Sequence, residues 1–224
     1  MCAIFGTESG GSKNALKVIV KKFNDQAKGA FEIGDIQAGN DVAKTPEEVA
    51  ALKEKFDVIL VVTSSYGEGE PPDNILEFFT AIMSLAGKGE KPLAGMQHAV
   101  MGFGSSVYDT FQNCPRLVDK YLGESGSRRM AMRAELDECH ESDLKEVDQP
   151  SYHKWVKEVF DALTALPKAD SKDACEWNKP EGKVQLVAGR EANGSAGGML
   201  FMGLLVTGVA AAALYQMFMT GETA

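Results

Sequence analysis

TSSYGEGEPPDN, residues 63–74, decides the reading of this chain. It directly follows the apolar run Val58-Ile59-Leu60-Val61-Val62. A connection between elements usually takes about 4–6 residues. This one is longer and carries two glycines, two prolines, three acids and a tyrosine. A buried strand that empties into such a segment is feeding a loop built to hold something.

Working outward, short apolar runs recur at 1–5, 31–36, 58–62, 98–103 and 128–133. Amphipathic stretches lie between and after them, at 13–28, 46–55, 74–86, 110–122 and 151–166. Thr45-Pro46-Glu47-Glu48 is a helix start, with a cap residue, a first-turn proline and acids at the positive dipole end. Asp73 or Asn74 is expected to cap the next helix. Alternating strands and helices imply an α/β domain over residues 1–166, a parallel sheet covered on both faces. No internal repeat is visible.

Residues 167–198 hold prolines, glycines, alanines and charges and read as a linker. Residues 199–219, MLFMGLLVTGVAAAALYQMFM, contain no charge. About 21 residues at ~1.5 Å each span roughly 30 Å, the thickness of a bilayer core, so a transmembrane helix is expected there, with 220–224 as a short tail. Gly203, Thr207 and Ala211 offer a small-residue face for helix packing, and Gln216 a polar contact. Lys172, Lys179, Lys183 and Arg190 precede this segment, which puts the N-terminal domain of a single-pass protein on the cytosol, stroma or matrix side. Thylakoid, mitochondrial inner and endoplasmic reticulum membranes fit equally.

The chain has 224 residues and a net charge of −9, which argues against a nucleic-acid partner. Its three histidines are scattered and its four cysteines form no C-x-x-C pair, against a zinc or iron–sulfur site and against a disulfide framework. That fits a reducing compartment. No cleavable signal is visible at the start, where Met1 runs into an apolar strand.

Ligands of open α/β sheets bind beyond the carboxyl ends of the strands. Three loops there are unusual. GTESGGSKNA, residues 6–15, combines hydroxyls at Thr7, Ser9 and Ser12 with glycines at 6, 10 and 11, just before a helix start. Such a loop cradles an anion with amides and the helix dipole. It lacks the lysine of a triphosphate loop and the spacing of a dinucleotide loop, so a monophosphate without metal fits. The second loop is the opening stretch, with Tyr66. The third, GFGSSVYDTFQN at 102–113, carries Tyr108. Two tyrosines on neighbouring loops can sandwich one flat ring.

These three segments resemble, in this order, the FMN loops of flavodoxin-like domains, and are most similar to the flavodoxin domain of diflavin reductases such as NADPH–cytochrome reductase and nitric oxide synthase. AELDECHESD, residues 134–143, looks like a weaker version of the family's fourth segment. The resemblance covers residues 1–165. It implies a doubly wound five-stranded sheet in the order 2-1-3-4-5 and non-covalent FMN. By matching position, Thr7, Glu8, Ser9, Gly10, Gly11 and Ser12 would hold the phosphate. Ser64, Ser65, Gly69, Gly104, Ser105 and Phe111 would line the site. Tyr66 and Tyr108 would flank the isoalloxazine, the Gly67 peptide would sit near N5, and Asp137 would be an acid close to the ring. Ala134 and Leu136 depart from the family, which usually has glycine there.

The resemblance implies a carrier of single electrons, and the apolar segment 199–219 would tether it to a membrane. No catalytic base or nucleophile is required and none stands out. The chain holds no FAD or NADPH domain, so it reads as an electron-transfer flavoprotein rather than a complete reductase. Glu68, Glu70, Asp73, Glu135, Asp137, Glu138, Glu141 and Asp143 are expected to ring the cofactor mouth and to steer a redox partner with a basic docking face. The alternative is a structural or docking subunit of a larger membrane redox or photosynthetic complex, its flavodoxin site vestigial.

Overall fold

The computed structural model describes residues 1–27, 29–139 and 149–165. The expected linker, transmembrane helix and tail lie outside the described residues. Among those described, no helix is long and apolar enough to cross a membrane.

The sheet runs β2-β1-β3-β4-β5, the order the resemblance implies. β1 (Cys2–Gly6) lies between β2 (Ile36–Ala38) and β3 (Val58–Ser64), and β3 pairs with β4 (Gln97–Gly104), all parallel. Side chains alternate across the strands, so each central strand feeds two cores. Ile4, Ile59, Val61 and Val100 pack with α4 (Leu76–Gly87) and α5 (Asn113–Glu124). Phe5, Leu60, Val62 and Met101 pack with α1 (Gly11–Ala27) and α6 (Pro150–Thr164). Burial on both faces is why residues 58–62 are uninterrupted apolar.

Two strands differ from the sequence expectation. The run at 31–36 gives pairing only from Ile36 onward. Phe31 and Ile33 pack instead against the core, while the Met1 ammonium donates to the Glu32 carbonyl at 2.7 Å and the Gly34 amide to the Met1 carbonyl at 2.9 Å. The fifth sheet position is split. β5 is only Arg128–Arg129, beside Gln97 and His98. The chain then leaves the sheet, exposes Met132 and returns as β6 (Ala134–Asp137) beside Met101–Gly104. Ala134 and Leu136, where glycines were expected, are thus buried strand residues.

The helix at 46–55 is divided into α3 (Pro46–Ala50) and a 3₁₀ turn (Ala51–Glu54), and a four-residue α2 (Gly39–Val42) precedes it. Thr45 and Glu48 form the expected capping box. Neither Asp73 nor Asn74 caps α4. Asn40 of α2 does so, its Oδ1 accepting from the Glu77 amide at 2.9 Å.

A buried charge network joins α5 to the split edge. Asp119 is fully buried and accepts from Arg129 and from Arg133 Nη1 at 2.6 Å, and its Oδ1 lies 3.2 Å from His98 Nε2. His98 Nδ1 lies 2.9 Å from Ser127 Oγ. Glu135, expected at the cofactor mouth, belongs to this network, held by Arg116 at 2.6 Å and by Arg133. Burial pushes the Asp119 carboxyl up, but hydrogen bonds and charge from His98 and Arg129 outweigh it and hold the group below the ordinary range. A depressed carboxyl contributes stability above its unfolded value, about 3.9, and that contribution is lost as pH falls through the lower folded value. Asp119→Asn removes the buried charge that Arg129 and Arg133 share and leaves Arg133 only its Glu135 pair, so it should cost ~3–5 kcal/mol at pH 7. In urea titrations the gap between variant and wild type should narrow at pH 3, because the wild type alone loses this carboxylate's contribution.

Candidate functional site

The three unusual loops sit together on the carboxyl edge of β1, β3 and β4. Side chain–backbone bonds tie them to one another.

The first loop turns at Gly10, whose φ of +92° favours glycine, and enters the long helix α1 at Gly11. The Thr7 hydroxyl accepts from the Gly10 amide at 2.9 Å, which closes the turn. Asn74, at the far end of the second loop, grips Thr7 twice. Its Oδ1 accepts from the Thr7 amide at 3.0 Å and its Nδ2 donates to the Thr7 carbonyl at 2.9 Å. The Glu8 carboxylate accepts from the Asp73 amide at 2.9 Å, so only its backbone remains for an anion. Ser12 stands in the first turn of α1, 1% exposed, and its Oγ has no hydrogen-bond partner. First-turn amides of a helix also lack intrahelical acceptors. A buried unpartnered hydroxyl costs ~1–3 kcal/mol, so this arrangement is incomplete without an acceptor or donor from outside.

The second loop is a tight excursion from the sheet. The Tyr66 amide donates to the Glu70 carbonyl at 2.8 Å and the Glu70 amide returns to Tyr66 at 2.7 Å. Gly67, at φ +52°, and Gly69, at φ +96°, make the reversal. Glu70 lies close over Gly67, since a β-carbon there would stand 2.5 Å from its Oε2. Ser65 caps α5 by accepting from the Cys114 amide at 3.1 Å, so its hydroxyl holds the scaffold. Ser64 ends β3. Tyr66 is left 43% exposed.

The third loop makes successive turns, with the Tyr108 amide donating to Ser105 at 3.2 Å and the Phe111 amide to Tyr108 at 3.0 Å. The Phe111 ring packs on Gly104, where a β-carbon would stand 3.2 Å from it. Ser105 Oγ lies 3.0 Å from Cys139 Sγ. Asp137 accepts from the amides of Ser106 and Cys139, both at 3.0 Å. It therefore staples the fourth segment to the third loop. Residues 140–143 of that segment lie outside the described residues. Tyr108 is 63% exposed.

The structure thus gathers the expected cofactor-binding residues on one edge, but gives many of their side chains structural duties. Sequence reasoning missed three contributors. Asn74 was expected to cap a helix, and Gln112 and Asn113 were not singled out. The amphipathic pattern puts Gln112 and Asn113 inside a helix at 110–122, whereas α5 begins at Asn113.

The geometry defines a class: an α/β domain with an anion cradle at a helix start and two solvent-exposed tyrosines on the same edge. Residues 4–155 match the Flavodoxin family model, and the chain belongs to that family. It is 26% identical over 183 residues to an NADPH–cytochrome P-450 reductase of Aspergillus terreus, which covers 77% of this chain and 24% of that protein. It is 41% identical over 73 residues to a bifunctional cytochrome P-450/NADPH–P-450 reductase of Aspergillus oryzae, 32% of this chain and 6% of that one. The match thus spans a quarter or less of these relatives. Among solved structures, the flavodoxin of Streptococcus pneumonia TIGR4 has a TM-score of 0.54 at 20% identity, with 73% of this chain and 97% of that one covered. Oxidised flavodoxin 1 of Bacillus cereus gives 0.54 at 18%, with 74% and 98% covered.

Fold and family indicate FMN as the cofactor. The residues present fit it, since the orphaned Ser12 hydroxyl and the α1 amides suit a phosphate. Removing an unsatisfied buried hydroxyl should leave the apoprotein as stable or stabler, whereas removing a ligand contact weakens binding. Ser12→Ala should therefore keep or raise the apoprotein's Tm while weakening FMN about tenfold. Riboflavin, which lacks the phosphate, should bind the variant as it binds the wild type, and flavin fluorescence titration checks both.

Proposed function

We propose that this chain is a membrane-tethered, FMN-dependent carrier of single electrons between redox proteins. The observation that carries the reading is the phosphate cradle with its unpartnered Ser12 hydroxyl, on the same edge as two exposed tyrosines. Bound FMN supplies the redox chemistry, accepting and passing on electrons. The chain's own residues bind and orient it. Thr7, Ser9, Gly10, Gly11 and Ser12, with the backbone of Glu8, hold the phosphate through amides and hydroxyls. Tyr66 and Tyr108 cover the ring faces and exclude water. The Gly67 peptide would lie near the bound ring, and glycine there would let it turn.

Glu68, Glu70 and Asp73 lie on the second loop, and Glu138 lies beside the third, its amide donating to the Gly104 carbonyl. Their charge disfavours an anionic reduced ring and attracts a partner with a basic face. Two of the expected acids have other duties, because Glu135 is ion-paired and Asp137 bonds backbone amides. The relatives' names pair NADPH with cytochrome P-450, so a haem protein is the acceptor class we favour and a separate NADPH-oxidising flavoprotein the donor. Residues 199–219 would hold the carrier at the membrane, raising its effective concentration near a membrane-bound partner.

Purified full-length protein, loaded with FMN and freed of unbound flavin, should show flavin absorption and take up electrons in two resolved one-electron steps. A folded, colourless protein would overturn this reading in favour of a docking subunit. Tyr66→Ala and Tyr108→Ala should each weaken FMN about tenfold, from stacking worth ~0.5–1.5 kcal/mol plus lost burial. Deleting residues 195–224 should move the protein from washed membranes to the soluble fraction.

A further inference from the structure

The start of α5 touches both tyrosine-bearing loops through three consecutive residues. Gln112 is fully buried, and its Nε2 donates to the Gly102 carbonyl at 3.1 Å and the Leu136 carbonyl at 3.0 Å. It thereby ties the end of the third loop to the β4–β6 pair. Asn113 is 1% exposed, and its Nδ2 donates to the Gly69 carbonyl of the second loop at 3.0 Å. Cys114 donates its amide to Ser65 of the same loop. Gly69 closes the contact from the other side. A β-carbon there would stand 2.7 Å from Thr110 Cβ and 3.0 Å from Asn113 Cβ, so the two loops meet with no room for a methyl group.

Gln112 also has φ 61°, the one positive value outside glycine among the described residues. Such a conformation persists only where the surroundings over-determine it. A β-carbon on Gly102 would stand 1.8 Å from Gln112 Oε1, so the amide fills the space that this glycine leaves. The clamp is fixed on both sides: by the sheet at Gln112 and by the second loop at Asn113.

We propose that Gln112 and Asn113, with Gly69, are positioning residues that set the spacing between the Tyr66 and Tyr108 loops and thereby the fit of the flavin ring. This rests on the FMN reading above. Stacked rings lose a quarter to a half of their dispersion attraction over a gap of about 0.5–1 Å, so a small separation of the loops matters for the ring. The phosphate cradle is fastened by a different contact, Asn74 to Thr7, at the far end of the second loop from the Asn113 bond at Gly69. Ring binding and phosphate binding are therefore separable in this protein.

The test uses full-length protein in detergent, titrated with FMN and with riboflavin. Gly69→Ala forces the loops apart and strains the turn at φ +96° without removing a donor, and Asn113→Ala removes the donor without adding bulk or strain. Each should weaken riboflavin and FMN alike, by about tenfold, leaving the ratio of the two affinities at the wild-type value. Ser12→Ala should change that ratio instead. Leu163→Ala, in the core face of α6, serves as a destabilising control and should leave riboflavin affinity unchanged. Unaltered riboflavin affinity in both loop variants would overturn the clamp, as would an equal loss in the Leu163 control, which would mean that affinity merely follows stability. Wild type that binds neither flavin would overturn the FMN reading itself, and the clamp's purpose with it.

Discussion

A parallel sheet ends all its strands on one edge, and the loops that leave that edge carry backbone amides and carbonyls with no ladder to join. In this protein two asparagine side chains meet that constraint. Asn74 binds both the amide and the carbonyl of Thr7, standing in for a strand partner between the first and second loops. Asn113 does the corresponding work between the second and third through Gly69. Ile75 reinforces the first junction, since β-carbons on Gly6 and Gly39 would each come within 2.5 Å of its side chain. The three loops are thus a connected layer, and the cradle and the tyrosines ride on it.

That layer explains why so few of the site's polar side chains remain available. Ser65 bonds the start of α5, Ser105, Asp137 and Glu8 each contact a neighbouring segment, and their hydroxyl or carboxylate groups serve the scaffold. Amides suit the remaining task better. A phosphate presents acceptors only, and amides at a helix start meet it without the desolvation of a charged side chain. Ser12 is the exception, a buried hydroxyl that no neighbour satisfies.

Much of this was readable from the sequence where burial on two faces or a special loop leaves a strong pattern. The run at 58–62 gave its strand, and the glycine- and tyrosine-bearing segments gave the edge on which they would gather. The boundaries failed where tertiary contacts override local preference. Phe31 and Ile33 are apolar because they pack on the core, not because they pair in the sheet. Arg129 and Arg133 only make sense against Asp119 and Glu135, and no local pattern reveals a partner on another element. Asn40 capping α4 from α2 was hidden for the same reason. Amide side chains can cap, bridge or face water, so the roles of Asn74, Gln112 and Asn113 depend on neighbours far away in sequence.

Helix α5 joins the stable and the functional parts of the molecule. Its first residues hold the loops, while Asp119, two turns further on, anchors the arginine and histidine network beside β5. Arg116 lies between them, paired with Glu135 and stacked 5.9 Å from the Phe111 ring centroid. A helix pinned by buried charges cannot slide without exposing them, and unpaired charge in the interior is costly. The network therefore does for α5 what a loosely packed apolar contact could not: it fixes the helix axially as well as against the sheet. Loops hung from its N-terminus inherit that register. On the proposed reading, loops that hold a flavin gain more from rigidity along the helix than from stability alone.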